Sequence, residues 1–213
     1  MFSVIFDMDG TLLDTQRICI PAWEQAGRLQ GIEGVGDHIA NVCGMNEAGW
    51  KAYLAQHFES LDVDAFKLAA HDYIVANREV RFKAGAAELL AFLKGLGVKM
   101  AVASGTDLKV VRYNFEQLGA LHLFDAVIGG EEVANGKPAP DIFLLAAERL
   151  GAAPQSCFVF EDSANGVLAA HRAGMRCVGV PDIVPFDDDT KRLLYAELTR
   201  LDEAIEIFKK ITV

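Results

Sequence analysis

The chain has 213 residues, of which 52% are hydrophobic, and a formal net charge of −10 at pH 7. This length allows one sizeable core and a small accessory domain. The acidic balance, with no basic cluster, disfavours nucleic acid or an anionic membrane as a partner. We expect a cytoplasmic protein, because no signal peptide or membrane span is visible and the four cysteines form no CxxC pair. Nothing indicates an obligate protein partner.

The first predicted element is a buried strand over residues 2–6, which ends in two acids, Asp7 and Asp9, and a glycine turn at Gly10. Two carboxylates one residue apart repel each other, and each raises the pKa of the other. Capping a turn needs only one acid. The pair therefore predicts a metal site or a reaction centre at the end of this strand.

A long insertion follows, because the next strand begins only near Lys99 and a simple crossover needs far fewer residues. Its helical patterns cover residues 18–29, 47–58 and 64–79. We predict a helical cap domain over residues 14–82, inserted into an α/β core formed by residues 1–13 and 83–213. Trp23 and Trp50 are expected in the core of the cap.

The rest of the chain alternates between helical and apolar strand patterns, which predicts a parallel sheet with helices on both faces. The fold class is α/β, with a Rossmann-like sheet. The expected strands are 99–103, 126–128, 157–160 and 176–180, and the expected helices are 86–96, 108–118, 140–150 and 164–173. The amphipathic tail, 191–210, is predicted to form two helices at the edge of the core.

Polar groups follow these strands where each one ends: Ser104 and Gly105 after the second, and Glu161 and Asp162 after a later one. A turn holding Lys137 lies between them. Ligands of parallel α/β sheets bind beyond the carboxyl ends of the strands. We therefore expect Ser104, Glu161 and Asp162 to meet Asp7 and Asp9 at one edge of the sheet.

This ordered set resembles the haloacid dehalogenase superfamily of phosphohydrolases. The matching motifs are Asp-x-Asp-Gly-Thr at residues 7–11, a strand-ending Ser104, the Lys137-Pro138 pair, and an acidic pair at 161–162 before a glycine-bearing helix start. All four occur in family order, and the similarity spans roughly residues 1–180. The resemblance implies the same fold, with a helical cap inserted after the first strand.

The resemblance also implies the chemistry. Asp7 would be the nucleophile that forms an aspartyl phosphate, and Asp9 would protonate the leaving oxygen and then activate water. Mg²⁺ would be the cofactor, held by Asp7, the backbone carbonyl of Asp9, and Asp162. A small phosphorylated metabolite would be the substrate.

Further residues would support this centre. Ser104 and the Gly105 amide would cradle the phosphoryl oxygens, and Lys137 would neutralise both the phosphate and Asp7. Residues expected to orient the metal ligands and fix the turns around them are Thr11, Glu161, Ser163 and Asn165. Residues placed by position alone as candidates for substrate specificity are Thr15, Gln16, Arg17 and Asn46.

Three functions remain open within this resemblance. Asp9 favours phosphoryl transfer over dehalogenation, because a halide leaves without protonation. The subgroup containing β-phosphoglucomutase and small-molecule phosphatases is most similar, but Cys19 stands where the mutases place a His, and Asp107 where they carry a Lys. We predict a Mg²⁺-dependent phosphatase of a small phosphomonoester, with sugar phosphates included. The alternatives are a sugar phosphomutase and, less favoured, a non-catalytic binding protein on the same fold.

Overall fold

The computed structural model describes residues 2–43, 45, 47–77 and 79–212. They form a six-stranded sheet in the order β3-β2-β1-β4-β5-β6, with each neighbouring pair parallel. The strands are β1 Ser3–Phe6, β2 Lys99–Ala103, β3 Ala126–Ile128, β4 Cys157–Glu161, β5 Arg176–Gly179 and β6 Leu194–Glu197. The predicted α/β, Rossmann-like class is confirmed.

Helices cover both faces of this sheet, as the apolar strands require. Val4 and Phe6 of β1 point into one apolar cluster and Ile5 into another, which is the alternation expected of a strand. The core helices are α5 Ala86–Gly95, α6 Leu108–Gln117, α7 Asp141–Leu150, α8 Ala164–Arg172, α9 Asp188–Lys191 and α10 Ala204–Thr212. None of the helices in the described ranges has the length and apolar character needed to cross a membrane.

Register brings the strand ends together. Phe6 lies opposite Val102 on one side and Phe160 on the other, so β1, β2 and β4 end at nearly the same level. The backbone of Asp7 continues this ladder, because its N–H donates to the Phe160 carbonyl at 3.0 Å. The residues that follow the three strands are therefore neighbours at one edge of the sheet.

The inserted segment has an apolar core of its own. Its helices are α1 Cys19–Arg28, α2 Ile39–Val42, α3 Glu47–His57 and α4 Val63–Asn77. Trp23 is buried against Phe66, and Trp50 lies with its ring centroid 5.6 Å from that of Trp23, so the predicted core position of both tryptophans is confirmed. The short helix α2 and the 3-10 turn Val35–His38 were not predicted.

The segment joins the core through two linkers that run side by side. The N–H of Asp14 donates to the Arg81 carbonyl at 3.1 Å, and the N–H of Lys83 donates to the Leu12 carbonyl at 2.9 Å. Leu13 and Phe82 form an antiparallel bridge between these bonds. We propose on this basis the division expected from the sequence, with a cap over residues 14–82.

The prediction for the tail was wrong in its first half. Residues 191–210 were expected to form two helices, but Leu194–Glu197 is strand β6, paired with β5 at the sheet edge. The strand is short and only partly buried, so it lacks the continuous apolar run of the inner strands. Leu194, Leu198 and Leu201 also fit the i, i+4, i+7 spacing of an amphipathic helix, and pairing with the edge of β5 decides between the two structures. Helix α10 is present as predicted.

Candidate active site

Asp7 and Lys137 form a buried ion pair at the end of β1. Lys137 Nζ lies 2.5 Å from Asp7 Oδ1 and 2.5 Å from Glu161 Oε1. Burial raises the pKa of Asp7 to about 8, against the lowering effect of Lys137, and Glu161 and Asp9 raise it further. A second positive charge near Asp7 would therefore be strongly favoured, because it would restore the carboxylate to its charged form.

Lys137 is held in its charged form although it is only 5% exposed. Burial alone would lower its pKa, but the charges of Asp7 and Glu161 outweigh burial, and the pKa is raised overall. The ammonium also lies over the Phe143 ring, 4.8 Å from its centroid. The turn before α7 thus delivers one fixed positive charge to the end of β1, where the sequence predicted it.

Asp9 has quite different surroundings, because three hydroxyls donate to its carboxylate. Thr15 Oγ1 lies 2.6 Å from Oδ1, while Thr106 Oγ1 and Ser104 Oγ lie 2.7 Å and 3.2 Å from Oδ2. Thr106 was not among the predicted site residues. The signal in the sequence is a second hydroxyl two residues after the strand-ending Ser104, but hydroxyl residues are equally common at ordinary helix N-termini.

Asp162 is buried and also accepts two hydrogen bonds. Thr11 Oγ1 donates to its Oδ1 at 3.0 Å, and Gln16 Nε2 donates to its Oδ2 at 2.9 Å. Burial raises the pKa of Asp162 well above its usual value, and the charge of Glu161 raises it further. Like Asp7, this carboxyl is in a place that would favour a nearby cation.

Glu161 is engaged by its own loop. Its Oε2 accepts from the N–H groups of Asp162 and Ser163 at 3.0 and 2.9 Å and from Ser163 Oγ at 2.9 Å, while Oε1 accepts from Lys137. The first turn of α8 leaves room for this carboxylate because residue 166 is a glycine. A Cβ at that position would lie 1.8 Å from Glu161 Oε1. These contacts fit the expected role of orienting its neighbours rather than binding an ion, which stays a prediction.

The oxygen atoms here fit the predicted magnesium site. The Asp9 carbonyl and Asp162 Oδ2 converge on one point, since both lie within 2.9 Å of the same Gln16 nitrogen. Carboxylate and carbonyl oxygens are the donors that Mg²⁺ prefers. In the described ranges no group of three or more His, Cys, Asp or Glu side chains is arranged to hold a metal. The predicted magnesium ligands are two such side chains, Asp7 and Asp162, and the backbone carbonyl of Asp9.

The remaining predicted residues lie around this centre or away from it. Gly105 packs against Gly130, where a Cβ would come 2.1 Å from the Gly105 carbonyl, and Ser163 caps α8 by accepting from the Gly166 N–H. Asn165 donates to the Cys43 carbonyl at 3.2 Å and so joins core to cap. Asn46 lies outside the described residues.

Arg17 faces the linkers rather than the acid pair. Its guanidinium lies 3.6 Å from Asp14 and 3.7 Å from Asp182, and its side chain is 71% exposed. Arg81 and Lys83 pair with the same two acids, so the cluster ties both linkers to the loop after β5.

The two positions that depart from the mutase pattern have local structural partners. Cys19 Sγ donates to the Thr15 carbonyl at 3.6 Å, and burial, with the charge of Asp9, raises the pKa of this thiol to about 12. Asp107 is the N-cap of α6 and accepts from the Lys109 N–H at 2.8 Å. Neither side chain is arranged as a proton carrier or a phosphate ligand.

Acid pairs at two neighbouring strand ends, joined by one buried lysine, are chemically suited to the hydrolysis of phosphoric monoesters on an α/β fold. A sequence model of the haloacid dehalogenase-like hydrolases matches residues 3–174, and the chain belongs to this family.

Two relatives with phosphatase names are similar to the chain over most of its length. The chain is 33% identical to a putative phosphatase, YhcW, of Bacillus subtilis over 90% of both proteins. It is also 33% identical to the phosphorylated carbohydrates phosphatase of Thermotoga maritima, over 99% of this chain and 100% of that one. A putative β-phosphoglucomutase from T. maritima has a solved structure with 29% identity and a TM-score of 0.77, covering 99% of this chain and all of that one.

Proposed function

We propose that this protein is a Mg²⁺-dependent phosphatase that hydrolyses a small phosphomonoester through an aspartyl phosphate on Asp7. The observation that supports this proposal most strongly is the buried Asp7 carboxylate. It lies 2.5 Å from the ammonium of Lys137, at the strand end that it shares with Asp9. Sugar phosphates are the favoured substrate class, supported by the name of the T. maritima carbohydrate phosphatase. A cytoplasmic location, expected from the sequence, is part of this proposal.

The reaction would take two steps. An Asp7 carboxylate oxygen attacks phosphorus, the bond to the substrate oxygen breaks, and Asp9 gives that oxygen its proton, releasing the alcohol. Asp9, now a carboxylate, takes a proton from the water that attacks the acyl phosphate. Inorganic phosphate leaves, and both aspartates return to their starting forms.

Positive charge has to come from fixed groups, because the overall charge of the chain repels phosphate. Lys137 would supply one such charge on Asp7 and the phosphoryl group. Bound Mg²⁺, held by Asp7, the Asp9 carbonyl and Asp162, would supply the rest and keep Asp7 ionised. Ser104 now donates to Asp9, so binding of a phosphoryl oxygen to Ser104 would replace that hydrogen bond.

The test is phosphate release from a panel of phosphorylated metabolites. We expect activity on sugar monophosphates that disappears in EDTA and returns with Mg²⁺. Asp7→Asn should abolish turnover with the fold intact, because the amide has the same shape but is a poor nucleophile. Near-normal phosphatase activity of D7N would contradict the covalent mechanism.

The sugar phosphomutase remains the second candidate, since a structural relative with 29% identity carries that name. A mutase must protect its aspartyl phosphate from water and hold a second phosphate. The neutral Cys19 thiol and the helix-capping Asp107 support neither task. With β-glucose 1-phosphate and trace sugar bisphosphate, we expect free phosphate to form faster than glucose 6-phosphate. The opposite order of rates would favour the mutase.

A further inference from the structure

The side chain of Gln16 lies between two of the proposed cation ligands. Its Nε2 donates to the Asp9 carbonyl at 2.8 Å and to Asp162 Oδ2 at 2.9 Å. Its Oε1 accepts from Cys43 Sγ, on the inserted segment, at 3.5 Å. The residue is only 9% exposed. One carboxamide, at the start of the inserted segment, is thus bound at one end to the proposed cation ligands of the core and at the other end to Cys43 of the cap.

The turn after the acid pair leaves room for this arrangement. Gly10 has φ +80°, and a Cβ there would lie 2.6 Å from Gln16 Nε2 and 2.4 Å from Asp162 Oδ2. A larger residue at this position would push the amide and the carboxylate apart. The glycine therefore allows Asp162 and the carboxamide to meet at the position where the Asp9 carbonyl also points.

An amide group carries two N–H donors, and Gln16 directs both to these oxygens. A Mg²⁺ ion would have to approach the same two oxygens to roughly 2.0–2.1 Å. The amide nitrogen and its hydrogens already occupy the space between them, so the two occupants exclude each other. We infer that Gln16 competes with the divalent cation: its carboxamide closes the site in the metal-free protein and leaves when the ion binds.

The displaced carboxamide has space nearby. Gln16 lines a cavity of about 190 Å³ whose wall also includes Asn41, Asn165, Val184 and Phe186. A water molecule in the liquid takes about 30 Å³, so this cavity can hold a side-chain amide. Leaving the site breaks the hydrogen bonds from Gln16 to the Asp9 carbonyl and to Asp162, so cation binding would loosen two ties between the core and the inserted segment.

This inference rests on the ligand set of the proposed function, and the experiment separates the two. Mg²⁺ is titrated calorimetrically into metal-free protein without substrate. Asp162→Asn should remove the binding heat and so identifies the site. Gln16→Met keeps the length of the side chain but removes both donors. Gln25→Met, at an exposed position of α1, is the matched control.

We expect Q16M to bind Mg²⁺ roughly five- to twentyfold more tightly than wild type, because two hydrogen bonds, one of them to a carboxylate, no longer have to be broken. Q25M should match wild type. Thermal unfolding gives a second measurement: Q16M should be less stable than wild type without metal and should gain more from added Mg²⁺. Gln16→Glu, which adds a ligand charge, should show both effects more strongly.

Three results would overturn the inference. Equal affinities of Q16M and wild type, with equal losses of stability with and without Mg²⁺, would mean that Gln16 is only structural. Weaker binding by Q16M would make Gln16 a ligand rather than a competitor. If neither wild type nor Q16M gives a Mg²⁺ binding heat that disappears in the Asp162→Asn variant, the proposed metal site itself fails, and the inference fails with it.

Discussion

Asp7 and Asp9 are one residue apart in the sequence, yet their surroundings suit opposite tasks. Asp7 faces a buried ammonium that holds it in place, whereas Asp9 is bound by three hydroxyl donors. Hydroxyls can turn and donate elsewhere, so Asp9 is free to exchange partners during a reaction. In the proposed mechanism, an Asp7 held in place would suit the nucleophile, and an Asp9 that can exchange hydrogen-bond partners would suit the group that moves a proton in both directions.

Replacing Asp9 by Asn should lower kcat by roughly 10²–10⁴, the usual range for loss of a general acid–base. Formation of the acyl phosphate should become slow, because the leaving oxygen would receive no proton. Steady-state phosphate release measures kcat. Thr106→Val, which removes one donor to Asp9 but keeps the side-chain shape, is the control and should cost far less. A D9N enzyme within a few-fold of wild type would remove Asp9 from the proposed chemistry.

The sequence allowed the two aspartates, Ser104 and the second acid pair to be predicted as neighbours, because strand ends in a parallel sheet meet at one edge. Lys137 lies in a turn, and only the family resemblance placed it beside Asp7. The sequence did not allow Thr106 to be assigned to Asp9, or Gln16 to Asp162. Those contacts depend on where a loop and a linker return to the sheet edge, and no periodicity specifies that path.

Helix α8 shows how an element can be shaped by the site beneath it. Its first turn passes over Glu161, and Ser163 both caps the helix and donates to that carboxylate. A glycine in the first turn of a helix normally costs stability. Here it makes room for a buried acid that holds Lys137 in place.

Gly166→Ala should destabilise the protein by about 1–3 kcal/mol, the usual cost of overpacking, because the new methyl group would clash with Glu161. The matched control is Gly95→Ala at the end of α5, where a Cβ meets nothing within 4 Å. That change should be neutral or stabilising by up to about 1 kcal/mol. Urea unfolding measures both. Equal effects would mean that Glu161 is not held against the helix.

Helices and strands with a strong hydrophobic periodicity were predicted nearly to their ends. Elements that depend on pairing with a distant part of the chain were not. Strand β2 covers residues 99–103 as predicted, since its apolar run has helices on both sides. Strand β6 was missed because its sequence is helix-like and, among the described strands, it pairs with β5 alone. Pairing between distant segments makes β6 a strand, and the local sequence pattern cannot predict that pairing.

On the scale of the whole molecule, buried carboxyls connect stability to pH. The raised pKa of Asp7, about 8 against an ordinary 3.8, means that folding favours its protonated form. Its contribution to stability is therefore greatest at low pH and is lost as the pH rises from about 4 towards 8. A bound cation would reverse this penalty, because it favours the carboxylate.

The increase in unfolding temperature caused by Mg²⁺ should thus be larger at pH 8 than at pH 6. Metal-free wild type should lose stability over this interval relative to D7N, in which the titrating group is absent. Differential scanning calorimetry measures wild type at both pH values in EDTA and in Mg²⁺. D7N is measured at both pH values in EDTA. A Mg²⁺ effect that shrinks with rising pH would contradict the proposed ligand set.

The paired linkers have a consequence for how such proteins diversify. Because Leu13 and Phe82 bridge each other, the chain leaves the sheet and returns to it at the same place. Nothing in the sheet has to stretch or shift when the material between these points changes in length or shape. We expect that recombination between relatives can therefore exchange the whole insertion, and with it the proposed specificity residues Thr15, Gln16 and Arg17, while the proposed catalytic residues at the strand ends stay in place.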